Sequence, residues 1–158
     1  MKPYDDSSSN AYYKMNYGST GFYRINLNQM QLQKLGNSIS KDLSAFETTD
    51  KIGVLADSFA LAVAGYGSTA GALEIIKAYE KETEYNVLEE VDHALDIILS
   101  SFYLETPAIS EGILELQRRI FASKVRELGY DYSAKEDHLK SLKRTLAIRS
   151  AASAGDKE

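Results

Sequence analysis

Apolar residues recur every three or four positions from residue 28 onward, with polar residues between them. This spacing is typical of one face of an α-helix, so the pattern predicts helices over most of the chain. Short polar or glycine-containing stretches interrupt it and divide it into about six helices. The predicted buried positions are Met30, Leu32, Leu35, Ile39, Ile52, Leu55, Phe59, Ala62, Leu73, Ile76, Tyr79, Val87, Val91, Leu95, Ile98, Phe102, Ile113, Leu116, Ile120, Val125, Leu139, Leu142 and Leu146.

Residues that commonly begin and end helices stand at the predicted boundaries. Ser68 or Thr69 is a candidate cap for the third helix. Thr106-Pro107 predicts the start of the fifth helix, because proline is favoured at the first helical position, and Gly129 predicts its end. Ser133 with Glu136 three residues later predicts a capping box at the start of the last helix.

Residues 11–27 follow a different period. Apolar and polar residues alternate over residues 13–17 and again over residues 23–27, on either side of a glycine-containing turn at residues 18–21. Alternation on both sides of a short turn predicts a β-hairpin. An isolated hairpin is marginally stable in water, so we expect it to pack on the helices.

The predicted fold is therefore mainly α. A short β-hairpin at residues 11–27 precedes about six antiparallel helices at residues 28–152, arranged as an α-solenoid-like or irregular helical bundle. Residues 1–10 are polar and Ser-rich, so we expect them to be disordered, and residues 153–158 to form a short tail.

Composition and charge narrow the class of protein. The 158 residues are 44% hydrophobic and 26% charged, which is typical of a globular domain with a core. A net charge of -5 argues against a nucleic-acid partner, because phosphate binding needs a concentrated basic patch. The absence of cysteine excludes disulfides and thiolate metal sites. No apolar run resembles a signal peptide or a membrane span, so we expect no membrane association and a cytoplasmic location.

Three motifs stand in a distinctive order. They are Gly21-Phe22-Tyr23-Arg24-Ile25-Asn26, the stretch from Asp50 to Ala62, and Glu82-Thr83-Glu84-Tyr85. Their order and spacing resemble the C-terminal region of aminopeptidase N-like zinc metallopeptidases. The segments Ala64-Gly65-Tyr66 and Leu128-Gly129-Tyr130 are similar to those of fungal cytosolic members.

The resemblance implies a non-catalytic helical domain, of the kind called the endoplasmic-reticulum-aminopeptidase-like C-terminal domain. In intact relatives this domain closes over the catalytic domain and shapes the substrate cavity. The family's catalytic domain carries a His-Glu-x-x-His zinc helix, and that motif does not occur in this sequence. The resulting structural or interface candidates are Gly21, Phe22, Tyr23, Arg24, Asn26, Asp57, Phe59, Glu84 and Tyr85.

The candidates for a metal site or a phosphate-binding site within this sequence are weak. Only His93 and His138 are present, on different predicted helices, and a zinc site needs three or four converging ligands. We therefore expect no metal and no cofactor, with His93 a partly buried helix residue and His138 a polar residue of the last helix's first turns. The glycine-containing stretch 65–71 lacks the lysine of a phosphate-binding loop and is interpreted as a turn.

Charged residues are interpreted as structural. The acidic run at residues 82–92 is interpreted as negative charge at a helix N-terminus, where the helix dipole stabilises it. This interpretation is preferred to acid–base catalysis because no nucleophile stands near the run. Arg24 is expected to bridge the hairpin to the first helices. The basic residues of the last helix are interpreted as a solvated face; they are Lys140, Lys143, Arg144 and Arg149.

Three functions remain open. The chain is a detached fragment without independent activity, a stand-alone helical module that binds a peptide or protein, or one half of a split aminopeptidase. The candidate partners are accordingly a catalytic aminopeptidase domain, peptides, or a second copy of the chain. Self-association would use the free hairpin edge and the apolar face of the last helix.

Overall fold

The computed structural model describes residues 15–133 and 135–157, and these residues are mainly helical. The helices are α1 (Gln29–Lys41), α2 (Thr48–Val63), α3 (Thr69–Ala78), α4 (Tyr85–Ser101), α5 (Pro107–Leu128) and α6 (His138–Ser153). Short 3-10 helices at Tyr17–Ser19 and Leu43–Ala45 precede α1 and α2. The chain divides into two compact units, the first ending at Ala78 and the second beginning at Tyr79.

The prediction of a β-hairpin is wrong for residues 15–27, since the described residues contain no strand. These residues form a 3-10 turn followed by a non-helical segment that leads into α1. The physical reason is that their polar groups bond to α2 and to the turn after it, not to a neighbouring strand. Residues 11–14 of the predicted hairpin and the predicted disorder of residues 1–10 lie outside the described residues.

The first unit is built by α1 and α2, which both pack on α3. The approach of α1 to α3 is close at Gly36, where an added Cβ would lie 3.3 Å from the Glu74 carbonyl oxygen. Met30, predicted to be buried, is 67% exposed. The core of this unit contains Leu32, Leu35, Ile39, Phe46, Val54, Leu55, Phe59, Ala72, Ile75, Ile76 and Ala78.

The second unit is built by α4, α5 and α6, with α6 packed on both other helices. The predicted boundaries of α5 are confirmed: Thr106 and Pro107 begin it and Gly129, with φ 67°, ends it. Leu146 is buried as predicted, whereas Leu139 is 52% exposed. The core of this unit contains Val87, Leu88, Val91, Leu95, Ile98, Ile113, Leu116, Ile120, Phe121 and Val125.

The start of α6 differs from the predicted capping box. Asp137 is the N-cap, and its carboxylate accepts a hydrogen bond from the Lys140 amide at 3.2 Å. Glu136 instead forms a two-pronged ion pair with Arg144, with 2.6 Å between Nη2 and Oε2, and these side chains are 6% and 3% exposed. The Arg144 guanidinium holds the pKa of Glu136 below its ordinary value. Interpreting Arg144 as part of a solvated face was therefore wrong.

No helix within the described ranges has the length and apolarity needed to cross a membrane.

We expect Phe59→Ala to lower the free energy of unfolding of the first unit by about 3–5 kcal/mol, because Phe59 is 4% exposed and its ring fills the core. Phe22→Ala is the matched control, since Phe22 is 110% exposed and its loss should change stability by less than about 0.5 kcal/mol. Urea unfolding followed by circular dichroism measures both. A loss under about 1 kcal/mol for Phe59→Ala would contradict this core.

Candidate functional site

The sequence-predicted site residues that come together lie in and around residues 15–28, which we call the lead segment. Its beginning is a tight turn closed by one side chain. Asn16 Oδ1 accepts from the Gly21 amide at 2.7 Å, and Asn16 Nδ2 donates to the Gly21 carbonyl at 3.2 Å. Asn16 and Ser19 take left-handed backbone conformations, with φ 54° and 53°. Such conformations cost free energy and persist only where surrounding contacts fix them.

The start of α2 supplies contacts that fix the turn. The Gly18 amide donates to Asp50 Oδ1 at 2.8 Å, and Ser19 Oγ donates to the Thr49 carbonyl at 3.3 Å. Asp50 is 2% exposed, so its carboxylate is withheld from water and must be bonded within the protein.

Asp57 lies about two helical turns after Asp50 on α2 and holds the next part of the lead segment. Its Oδ2 accepts from the Ile25 amide at 3.0 Å, and its Oδ1 accepts from Arg24 Nη1 at 3.1 Å. Arg24 Nη1 also donates to the Ala56 carbonyl at 3.3 Å. Asn26 Nδ2 donates to the Tyr66 carbonyl at 2.8 Å, in the turn after α2. The predicted bridge from Arg24 to the first helices is therefore present.

Two adjacent aromatic residues of the lead segment are exposed. Phe22 is 110% exposed and Tyr23 is 59% exposed. We call these two residues the aromatic pair. Fixed backbone beneath exposed aromatic side chains is an arrangement suited to contact with another surface, because aromatic residues contribute strongly to interfaces.

A surface pocket of about 400 Å³ lies beside the aromatic pair. Asp57 and Gly53 contribute its α2 side, and the lead segment forms the rest. The pocket is lined by Asn16, Ser19, Gly21, Phe22, Tyr23, Arg24, Gly53 and Asp57. Four predicted candidates of the first motif and Asp57 thus share one surface feature.

The other predicted candidates lie elsewhere. Phe59 is in the core of the first unit, as predicted from its helical face. Glu84 and Tyr85 belong to the second unit, at the start of α4. The Glu84 amide donates to Glu82 Oε1 at 2.9 Å in the turn before α4, but no side chain caps the helix and its first turn contains no acidic residue. Tyr85 donates to Glu89 at 2.8 Å, and this bond raises the pKa of Tyr85.

Histidines and carboxylates do not form a metal site in the part of the chain that the structure describes. No group of three or more potential ligands of the His, Cys, Asp or Glu type is close enough to hold an ion there. His138 is the exposed first residue of α6. His93 is exposed on α4, so the prediction of partial burial was wrong.

A buried polar cluster in the second unit was not identified from the sequence. Asp92, 3% exposed, accepts hydrogen bonds from Gln117 Nε2 at 3.3 Å, Ser150 Oγ at 2.5 Å and Arg149 Nη2 at 2.5 Å. The cluster ties α4 to α5 and α6. The signal was available, because Asp92 stands between Val91 and Leu95 on the apolar face of α4 and a carboxylate there must be paired. Burial and the charge of Asp92 together raise the pKa of neighbouring Asp96.

Comparison with known families gives one match over nearly the whole chain. A family model described as ERAP1-like C-terminal domain matches residues 12–158. This chain belongs to the ERAP1-like C-terminal domain family. The resemblance to aminopeptidase N-like metallopeptidases inferred from the motifs is confirmed.

Curated relatives of this ERAP1-like C-terminal domain are aminopeptidases. Aminopeptidase M1-B of Oryza sativa subsp. japonica is 30% identical over 145 residues, which cover 90% of this chain. Aminopeptidase 2 of Candida albicans is 26% identical over 151 residues, or 96% of the chain. Aminopeptidase A of Gloydius brevicauda is 29% identical over 160 residues, or 100% of the chain. The chain spans 16% of the length of each of these relatives.

We expect Asp57→Ala to destabilise the first unit by about 1.5–3 kcal/mol, because a carboxylate that accepts hydrogen bonds from the Ile25 amide and from Arg24 is replaced by a methyl group that accepts none. Arg24→Met is the matched comparison. The Arg24 side chain is 54% exposed, so its ion pair should contribute less than about 1 kcal/mol. Urea unfolding of both variants measures the difference. Equal losses would show that the ion pair, not the Ile25 amide bond, holds the lead segment.

Proposed function

We propose that this chain is a non-catalytic helical domain of an aminopeptidase N-like zinc metallopeptidase, and that it helps to close and shape the substrate cavity of the catalytic part. The match to the ERAP1-like C-terminal domain over residues 12–158 supports the family context. The single observation that supports this role in cavity closure is the arrangement of the lead segment. Its backbone is fixed to α2, while the side chains of Phe22 and Tyr23 are exposed.

The contacts that stabilise the lead segment are made largely by its backbone. Asp50 and Asp57 bond the backbone of the lead segment through the Gly18 and Ile25 amides. The 3-10 turn at Tyr17–Ser19 contains no buried residue, so burial of its own side chains does not explain why it is held. Contacts that fix a backbone while leaving Phe22 fully exposed favour a contact surface over a core element.

The partner in this proposal is the zinc-bearing part of an aminopeptidase, on the same polypeptide or on another. Known relatives are about six times as long as the matched stretch, since that stretch is 16% of their length. The description of the matching family as a C-terminal domain supports a partner domain that precedes this one. The lead segment is the first part of the described residues, and we propose it as the part that faces the zinc-bearing domain.

We expect the purified chain to show no peptidase turnover and no stoichiometric zinc. The sequence has two histidines, and no His-Glu-x-x-His helix that could place two imidazoles and a general base around zinc. Incubation with aminoacyl fluorogenic substrates in the presence of Zn²⁺, followed by metal analysis, measures both. Turnover that persists through further purification, together with about one zinc per chain, would overturn the proposal.

The docking face is tested by affinity capture from the source organism, with mass spectrometry to identify bound proteins. We expect the wild-type chain to retain a zinc aminopeptidase polypeptide, and the double variant Phe22→Ser with Tyr23→Ser to lose it. The matched control is Tyr103→Ser with Leu104→Ser, which removes an aromatic and an aliphatic side chain that are 73% and 81% exposed in the second unit. This control should retain the aminopeptidase.

Other results of the affinity capture would favour other functions. Capture of an aminopeptidase that is insensitive to the Phe22 and Tyr23 substitutions would contradict the docking face but not the family role. Specific capture of a protein unrelated to peptidases would favour the stand-alone binding module. Light scattering across a concentration series distinguishes a second copy of the chain as the partner, because only self-association makes the apparent mass of the isolated chain rise with concentration.

A further inference from the structure

We draw no further inference here: the strongest candidate outside the lead segment, the exposed apolar corner of Tyr103 and Leu104 between α4 and α5, carries none because nothing in the structure shows what covers it.

Discussion

The structure depends on carboxylates that lie largely out of water and must therefore be paired. A charge withdrawn from solvent costs several kcal/mol unless hydrogen bonds and counter-charges compensate. In the first unit, Asp50 and Asp57 meet this requirement by bonding the lead segment. In the second unit, Asp92 and Glu136 meet it by bonding α6 through Ser150 and Arg144. Burial of apolar faces brings the helices of each unit together, and these carboxylates decide which loops and helix ends are fixed to them.

This constraint has a functional consequence at the lead segment. Asp57 is half-buried on α2, and its two oxygens engage the backbone of Ile25 and the side chain of Arg24. The residues immediately before them are left to face solvent. A preformed surface loses less conformational entropy on binding than a loose one, so a held segment is better suited to dock a neighbouring domain. The aspartate of the second motif is thus bonded to the glycine-aromatic motif that precedes α1.

Most of the helical architecture followed from local signals in the sequence. Thr106-Pro107 and Gly129 mark the ends of α5 through backbone preferences that do not depend on distant contacts. Ser68 likewise caps α3, where its Oγ accepts from the Gly71 amide at 3.2 Å. Features decided by distant partners were missed. Glu136 fits a capping box by spacing, but both of its carboxylate oxygens bond to the Arg144 guanidinium, and a two-pronged pair between opposite charges is stronger than one bond from a backbone amide.

The prediction of a β-hairpin was wrong for a related reason. Alternation over residues 23–27 is real, but it reflects the two sides of one anchored segment: Arg24 and Asn26 bond to α2 and its following turn, while Tyr23 faces solvent. A period of two cannot distinguish a paired strand from an irregular segment bonded to a helix. The sequence therefore predicted which residues form the candidate surface, but it did not predict their geometry.

The most direct test of the account is the hydrogen-exchange rate of the Ile25 amide in the isolated chain, measured by NMR. We predict that this amide is protected because it donates to Asp57, and that Asp57→Ala raises its exchange rate at least tenfold while amides in α4 are unchanged, a factor that corresponds to about 1.4 kcal/mol. An Ile25 amide that exchanges in the wild-type chain as fast as in an unstructured peptide would contradict the claim that the lead segment is held in place before any partner binds.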